Sequence, residues 1–459
     1  MTTGNSYDAL SSQMSGRILQ LGDASFEDAR QIWNSRLTKS PAVIVQCRKT
    51  QDVSLAVRFA NANGLQLAVR GGGHSYAGLG SADGCLLIDF SGMKEVDIDA
   101  AARTATVQPG VRWGEFYEGT LPHGLLPAGG TVSSVGVAGF TLGGGSGWLT
   151  RKHGLALDNL LSVEVVTADG DILTASETEN PDLFWGIRGS AGNLAIVTRF
   201  TFQLHPVPAE IFAGQVIYPM ELAEQAMQVY REVMQSAPEG FTCYPATFRI
   251  PPIEAFPAEL HGQVVFDFIL AHIGDIPEGE KTAARLREIG EPIMDLCAPQ
   301  PLADHLKVFD AGTPPGQRWY SRSHYLKDLS DEAISVFLKH SANMQGAFTF
   351  AYFESLGGAV SRIDSDATAF PHREAPCDYH ILAGWPDGEE DASIMQWVRD
   401  FHADMVQFSN GGVYVNLLGE DEGTRVREAY GSNYDRLVEL KQRWDPENRL
   451  QNNHNIRPH

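Results

Sequence analysis

The chain has 459 residues, enough for two or three units with cores of their own, and its 43% apolar and 20% charged content is that of an ordinary folded protein. Against 35 basic side chains stand 57 acidic ones, a formal net charge of −22. A surface of that sign repels phosphate backbones and anionic lipid, which excludes nucleic acid and membrane surfaces as expected partners.

The N-terminal stretch has no basic segment followed by an apolar core, and no apolar run reaches the length of a membrane span. Cys47, Cys85, Cys243, Cys297 and Cys377 are scattered and form no CxxC pair. Reduced thiols in a cytoplasmic protein are expected, not a disulfide framework. HExxH is missing and no His–Cys cluster is closely spaced, so no metal site is expected.

In chain order, residues 41–47 (PAVIVQC) predict a short buried strand. Thr50 is the expected N-cap of a helix on which Val53, Ala56, Val57 and Ala60 recur at helical spacing, and Gly64 closes it in the left-handed conformation. Residues 65–70 alternate as a strand, so strand, helix and strand predict a βαβ unit with parallel pairing. Arg70-Gly71-Gly72-Gly73-His74-Ser75 then has loop chemistry. Short strands are expected in 85–90, 95–99 and 104–110, and a second glycine-rich region spans 129–147. Residues 160–176 predict a hairpin turning at Asp169-Gly170, and 193–207 a strand ending at Pro206.

From about Val207 to Asn410 the texture changes. The amphipathic stretch 222–235 alternates with strand-like runs at 261–273 and 346–358, an α+β pattern that predicts a second domain on an antiparallel sheet. The last part predicts a strand carrying Tyr414 and Asn416, then a helical region broken near Gly431 and stopped at Asp445-Pro446.

Consecutive glycines after a strand leave backbone N–H groups open to a phosphate, so Gly71 to Gly73 could cradle a pyrophosphate; a tight turn is the competing reading. In the second glycine region GxGxxG fails, because Trp148 stands where the last glycine belongs, and there is no GxxxxGK[ST]. Around Ser146 the second glycine of a nucleophile elbow is missing. A nucleotide-binding Rossmann fold and a serine hydrolase are both disfavoured.

Five segments arrive in a telling order: RGGGHSYAG, TVQPGVRWGE, SSVGVAGFTLGGGSGWLTRKHGLALDNL, DLFWGIRGSAGN and the terminal WDPENRLQNNHNIRP. From about residue 30 to the end they resemble the berberine-bridge-enzyme-like oxidoreductases, which have the vanillyl-alcohol-oxidase type of FAD fold. The resemblance implies an α+β protein with an FAD-binding domain at 1–206, to which 412–459 returns, and a substrate domain at 207–411.

It implies FAD tied through its 8α-methyl carbon to His74, whose neutral imidazole is a good nucleophile near pH 7. The other cofactor-binding positions it implies are Arg70, Gly71, Gly72, Gly73, Ser75 and Gly78 in the first loop. To these it adds Val132, Val135, Gly136, Gly139, Gly143 and Gly144 in the second, with Ile196, Val197, Asn416 and Asn453 further on. Many relatives add a cysteine link in a Cys-Pro-x-Val-Gly segment. Here Val132-Ser133-Ser134-Val135-Gly136 holds valine in place of that sulfur, so a single attachment is expected. Val135 matches a position that gates dioxygen in the family, with mere packing under the ring as the alternative.

Residues two apart on a strand share a face, so Phe350, Tyr352 and Glu354 are expected to look onto the substrate together with Ser146. Glu354, Tyr352 and Tyr414 are the candidate catalytic groups. A buried glutamate near the ring would have a raised pKa and act as a base, whereas an edge-strand charge would face water. For Asn453 a purely structural role stays open. The activity implied is oxidation of a C–O or C–N bond of a small molecule, with dioxygen as second substrate. Oxygenation of a polyketide-like substrate and a flavin-loaded drug-binding resistance protein are the alternatives.

Overall fold

The computed structural model describes residues 4–254 and 256–458. The strands Val43–Gln46 and Leu67–Arg70 flank the helix Thr50–Asn63 as expected, yet they do not pair with each other. Leu86–Asp89 lies between them, parallel to both, and Arg17–Gln20 adds an antiparallel edge. Leu86–Asp89 is buried at every position while each flanking strand keeps one part-exposed residue, so the fully covered strand takes the centre.

The helix begins one residue earlier than the Thr50 cap expected, with Lys49 at the cap position, because the Thr50 hydroxyl bonds the Glu164 carboxylate of the neighbouring sheet instead. Gly64 closes it at φ 64°, as expected.

The second sheet is antiparallel throughout, in the order Val96–Asp99, Thr104–Val107, Ile196–Gln203, Leu160–Val166, Ile172–Ser176. Its last two strands are the expected hairpin, closed by Gly170 donating to the Thr167 carbonyl at 3.0 Å.

Beyond Pro206 the expected change of texture becomes an eight-stranded antiparallel sheet. Its long strands run in the order Glu210–Pro219, Val264–His272, Phe241–Arg249, Phe350–Ser355, Cys377–Trp385, Arg318–Tyr325. On one face Cys243, Phe268, Phe353 and Tyr379 pack against Met227, Tyr230, Phe337 and Phe401 of the helices Ala223–Met234, Asp331–Ser341 and Asp391–Met405. On the other, Tyr244, Ala246, Ile269 and Ala271 join the core of Trp113, Trp148 and Phe202. The strand period of two therefore sends alternate residues toward the first half of the chain.

The C-terminal segment returns to that same core through Val413, Val415, Leu437 and Ile456. The helical region breaks at Gly431 and its last helix, Tyr434–Trp444, stops before Asp445, as the sequence predicts. Residues 411–418, expected as a strand, instead close on themselves as a 3₁₀ turn at Val415–Leu417, with Leu417 N–H bonded to the Tyr414 carbonyl at 3.0 Å. Among the described residues no strand forms a ladder with the segment; the Gly412 carbonyl accepts from Tyr325 N–H at 3.1 Å and the rest of the turn closes on itself. Among the described residues no helix is long and apolar enough to cross a membrane, and all five cysteines are free and buried.

Candidate active site

Between the two glycine-rich segments and the inward face of the large sheet lies a cavity of about 370 Å³. One end is apolar, with Leu67, Val69, Phe90 and Leu450; the backbone of Gly71 to Ser75 follows; the far end is walled by Phe350, Tyr352 and Glu354. Val132, Val135, Gly136 and Gly139 form one side, and Ile196, Val197 and Asn453 another. Ser146, Tyr414 and Asn416 also reach the wall.

Four expected positions stand behind the wall. The Arg70 guanidinium turns away to Asp89 at 3.1 Å and to the Gln31 carbonyl at 3.0 Å. Gly78 packs on Leu37 and shapes the loop after His74. Gly143 and Gly144 make room for their neighbours: a Cβ on Gly143 would stand 2.1 Å from Asn416 Oδ1, and one on Gly144 3.0 Å from Tyr414 Cε2.

His74 is held by two side chains. Its Nε2 lies 2.9 Å from Ser134 Oγ, and Nδ1 makes no hydrogen bond among the described residues. Its ring stacks on Trp33 at 4.5 Å, and Trp33 in turn stacks on Trp319 at 4.7 Å. Trp33 N–H donates to the Gly73 carbonyl at 3.1 Å, and Asn34 ties the Tyr76 carbonyl (2.8 Å) to that of Trp319 (3.0 Å). Burial, helped by the Arg112 charge, lowers the His74 pKa to about 3, so the imidazole is neutral at any physiological pH. In the tautomer that carries its proton on Nε2 and shares it with Ser134, the Nδ1 lone pair is free for attack.

At the far end Glu354 is 6% exposed and sits on an interior strand, not at an edge. Ser146 Oγ and Tyr244 Oη (3.3 Å) donate to its Oε1. His380 Nε2 lies 3.8 Å from Oε2 and 2.9 Å from Asp378 Oδ2, the latter as an ion-pair contact without the alignment of a hydrogen bond. Burial first, then the Asp378 charge, raises the Glu354 pKa to about 7 against the opposing pull of His380 and the two hydroxyl donors. Burial alone would lower His380, but the carboxylates of Asp378 and Glu354 raise it. An acid with that pKa, buried in a cavity, can take or give a proton near neutrality. Tyr414 Oη accepts from Gly145 N–H (2.8 Å) and Asn416 Nδ2 (2.9 Å), which leaves its own proton to offer into the cavity.

Glu354, Asp378 and His380 also place three metal-ligating atoms within 4.8 Å of one another, a grouping that chain spacing did not anticipate. The D-x-H pair inside the otherwise apolar Cys377–Trp385 strand was its one visible signal. Tyr76 sits two residues past His74 in the quoted motif, but nothing in the sequence pointed to Trp33, Tyr244 or Trp319.

The residues fit FAD. Gly72 and Gly136 cross so closely that a Cβ on either would stand 2.4 Å from the other's amide nitrogen, which leaves bare backbone facing the cavity. Buried Asn453 Oδ1 has no partner among the described residues and is an acceptor for a ring N–H. The neutral His74 carries the kind of nucleophilic nitrogen that attachment to a flavin methyl carbon would require.

Residues 41–176 match the FAD binding domain family, and residues 413–457 the berberine and berberine-like family. The chain is similar to an FAD-linked oxidoreductase, YgaK, of Bacillus subtilis, 31% identical over 446 residues and 95% of each chain. It is similar also to (R)-6-hydroxynicotine oxidase of Paenarthrobacter nicotinovorans, 28% identical over 96% of this chain and 97% of the other. The crystal structure of 6-hydroxy-D-nicotine oxidase from Arthrobacter nicotinovorans superposes with a TM-score of 0.85 at 26% identity, over 97% of this chain and 98% of that one.

Proposed function

The chain belongs to the berberine-bridge-enzyme-like FAD-linked oxidoreductases, and from that premise we propose that it is an oxidase with its flavin on a single bond to His74. In this reading 1–206 with 412–459 bind the cofactor, and 207–411 supply the substrate wall. When bound, FAD would supply the hydride acceptor for substrate carbon and the route by which the electron pair reaches dioxygen, giving hydrogen peroxide.

The chain's own residues do the rest. The substrate would enter the cavity with its O–H or N–H directed at Glu354. Glu354 takes that proton as the C–H bond breaks, so an alcohol leaves as a carbonyl or an amine as an imine. Ser146 and Tyr244 hold Oε1 still, which directs Oε2 to the substrate. Tyr414, fixed by Gly145 and Asn416, donates to the oxygen or nitrogen lone pair and orients it. Phe350 and Tyr352 exclude water from the reacting end. Val135, whose carbonyl is pinned by Trp113 N–H at 3.0 Å, presents a small side chain to the cavity and leaves room for dioxygen.

The observation that carries this reading is the buried Glu354, poised near neutrality in the cavity that His74 lines. The test is peroxide release by the purified yellow protein across alcohols, sugars, cyclic amines and phenols. Silence under air, with rapid bleaching by one of them under argon, would overturn the oxidase assignment.

A further inference from the structure

The inward face of the large sheet continues past Glu354 into a second cavity of about 150 Å³. Tyr244, Phe309, Thr313, Phe350 and Tyr352 wall both cavities, so the second adjoins the reacting end of the first. Its lining is mostly apolar, with Phe248, Ile253, Phe256 and Ile269 among it, and Asp267 is the one carboxyl in it, beside Gln215.

Asp267 has no exposed surface. Its Oδ2 accepts from Gln215 Nε2 at 2.7 Å, while Oδ1 has no partner among the described residues. A carboxyl on an apolar strand face costs stability unless both oxygens are satisfied, and a structural role would satisfy both. The one cationic side chain of the wall, Arg249, turns its guanidinium outward to the carbonyls of Gly262 and Met344. The Tyr244 and Tyr352 hydroxyls in the wall and the nearby Cys243 and Cys297 thiols are all held neutral by burial. Burial likewise raises Asp267 to about 8, against the opposing pull of hydrogen bonds from Gln215 and the Val216 backbone, and among the described lining residues no cationic side chain is directed at it.

We propose that this second cavity is a subsite for the distal part of the substrate, an apolar arm bearing a protonated amine that pairs with Asp267 while the carbon to be oxidised lies beside Glu354. It rests on the reading of the first cavity as the site of oxidation. Binding there trades the carboxyl proton for the cation: the ammonium enters, and the proton leaves to solvent.

The test is calorimetric binding to the yellow holoenzyme at pH 7, with 2-phenylethylamine as the cationic probe and 2-phenylethanol as its uncharged counterpart. The amine is expected to bind at least about tenfold tighter than the alcohol and, from two buffers of different ionisation enthalpy, to release about one proton. Asp267→Asn should weaken the amine by at least about tenfold and the alcohol by less than about twofold. Should that variant not fold, Ala246→Phe fills the chamber from the adjacent strand with Asp267 intact, and it must weaken the amine as well. Equal affinities, no proton release, or no saturable amine binding would mean a chamber that holds only water, and would overturn the proposal. These titrations need no turnover, so a protein that binds the amine as described but releases no peroxide sinks the oxidase reading and leaves the amine pairing at Asp267 standing.

Discussion

The Nε2 of His74 and the Oγ of Ser134, sixty residues apart in the chain, meet at 2.9 Å, and that contact leaves Nδ1 as the imidazole nitrogen with no hydrogen bond among the described residues. Acid-precipitated wild-type protein should keep its yellow colour in the pellet, and His74→Ala should release all of it to the supernatant. Ser134→Ala removes one hydrogen bond, worth about 1 kcal/mol, and should slow acid-stable attachment roughly fivefold without abolishing it. A His74→Ala pellet that stays yellow would place the tether elsewhere.

Glu354 must be ionised to accept a proton, and its pKa stands raised to about 7 by burial and by Asp378. The ionised fraction grows as pH rises, so kcat/KM should climb from pH 5 and level off above about 8. Glu354→Gln should lower kcat by about 10²- to 10⁴-fold and flatten that limb. Steady-state profiles of both proteins check it, and an unchanged limb in the variant would assign the titration to another group.

His380 opposes this upward shift. Replacing it by Gln removes a positive charge 3.8 Å from Glu354 and leaves Asp378 facing Glu354 without a counter-ion. The acid limb should then move to higher pH by about one pH unit. A residue that merely fills space would change the rate and leave the midpoint where it was.

The shared face of Phe350, Tyr352 and Glu354 was legible because a strand alternates by two, and the register of that strand does not alter which side chains travel together. Tyr414 and Asn416 also meet, with a hydrogen bond of 2.9 Å, though the segment is a 3₁₀ turn and not a strand. Their spacing was a true clue that pointed to the wrong element. Asp378 and His380 reach Glu354 only through the pairing of their strand with its neighbour, where Tyr352 opposes His380, and sequence periodicity carries no record of pairing. Trp33 was invisible for the same reason: nothing near it in the chain announces that His74 and Trp319 will stack on its two faces. The insertion of Leu86–Asp89 between the two strands of the βαβ unit likewise follows from its burial on both faces, which three apolar residues before an aspartate do not reveal by themselves.

Val135 lines the cavity beside His74, and its backbone is fixed by Trp113, so a larger side chain there cannot be accommodated by sliding the loop. Val135→Leu should slow reoxidation of the reduced flavin by dioxygen roughly tenfold, equivalent to ~1.4 kcal/mol, while anaerobic reduction by substrate changes less than about twofold. Stopped-flow absorbance separates the two halves. Equal loss in both would mean that Val135 only packs.

Lys441 and Asp445 form an ion pair at 2.6 Å with neither side chain exposed, and Lys441 also donates to the carbonyls of Asn193 and Leu450. Asp445 in turn accepts from the Arg449 and Leu450 N–H groups, so the pair fixes the turn that delivers Asn453 to the cavity wall. Replacing Lys441 by Met removes one partner, leaves a buried carboxylate without its counter-charge, and should cost about 3–5 kcal/mol in denaturant unfolding. Lys441→Met combined with Asp445→Leu removes both charges and should regain part of that loss, because the cost lies mainly in the unpaired charge and not in the missing attraction. The double variant still lacks the acceptors for Arg449 and Leu450 N–H, so it should exchange those amide protons faster than wild type even where global stability is recovered. If the single variant unfolds at the wild-type midpoint, the pair contributes nothing and the terminal turn is held by the apolar packing of Leu450 and Ile456 alone.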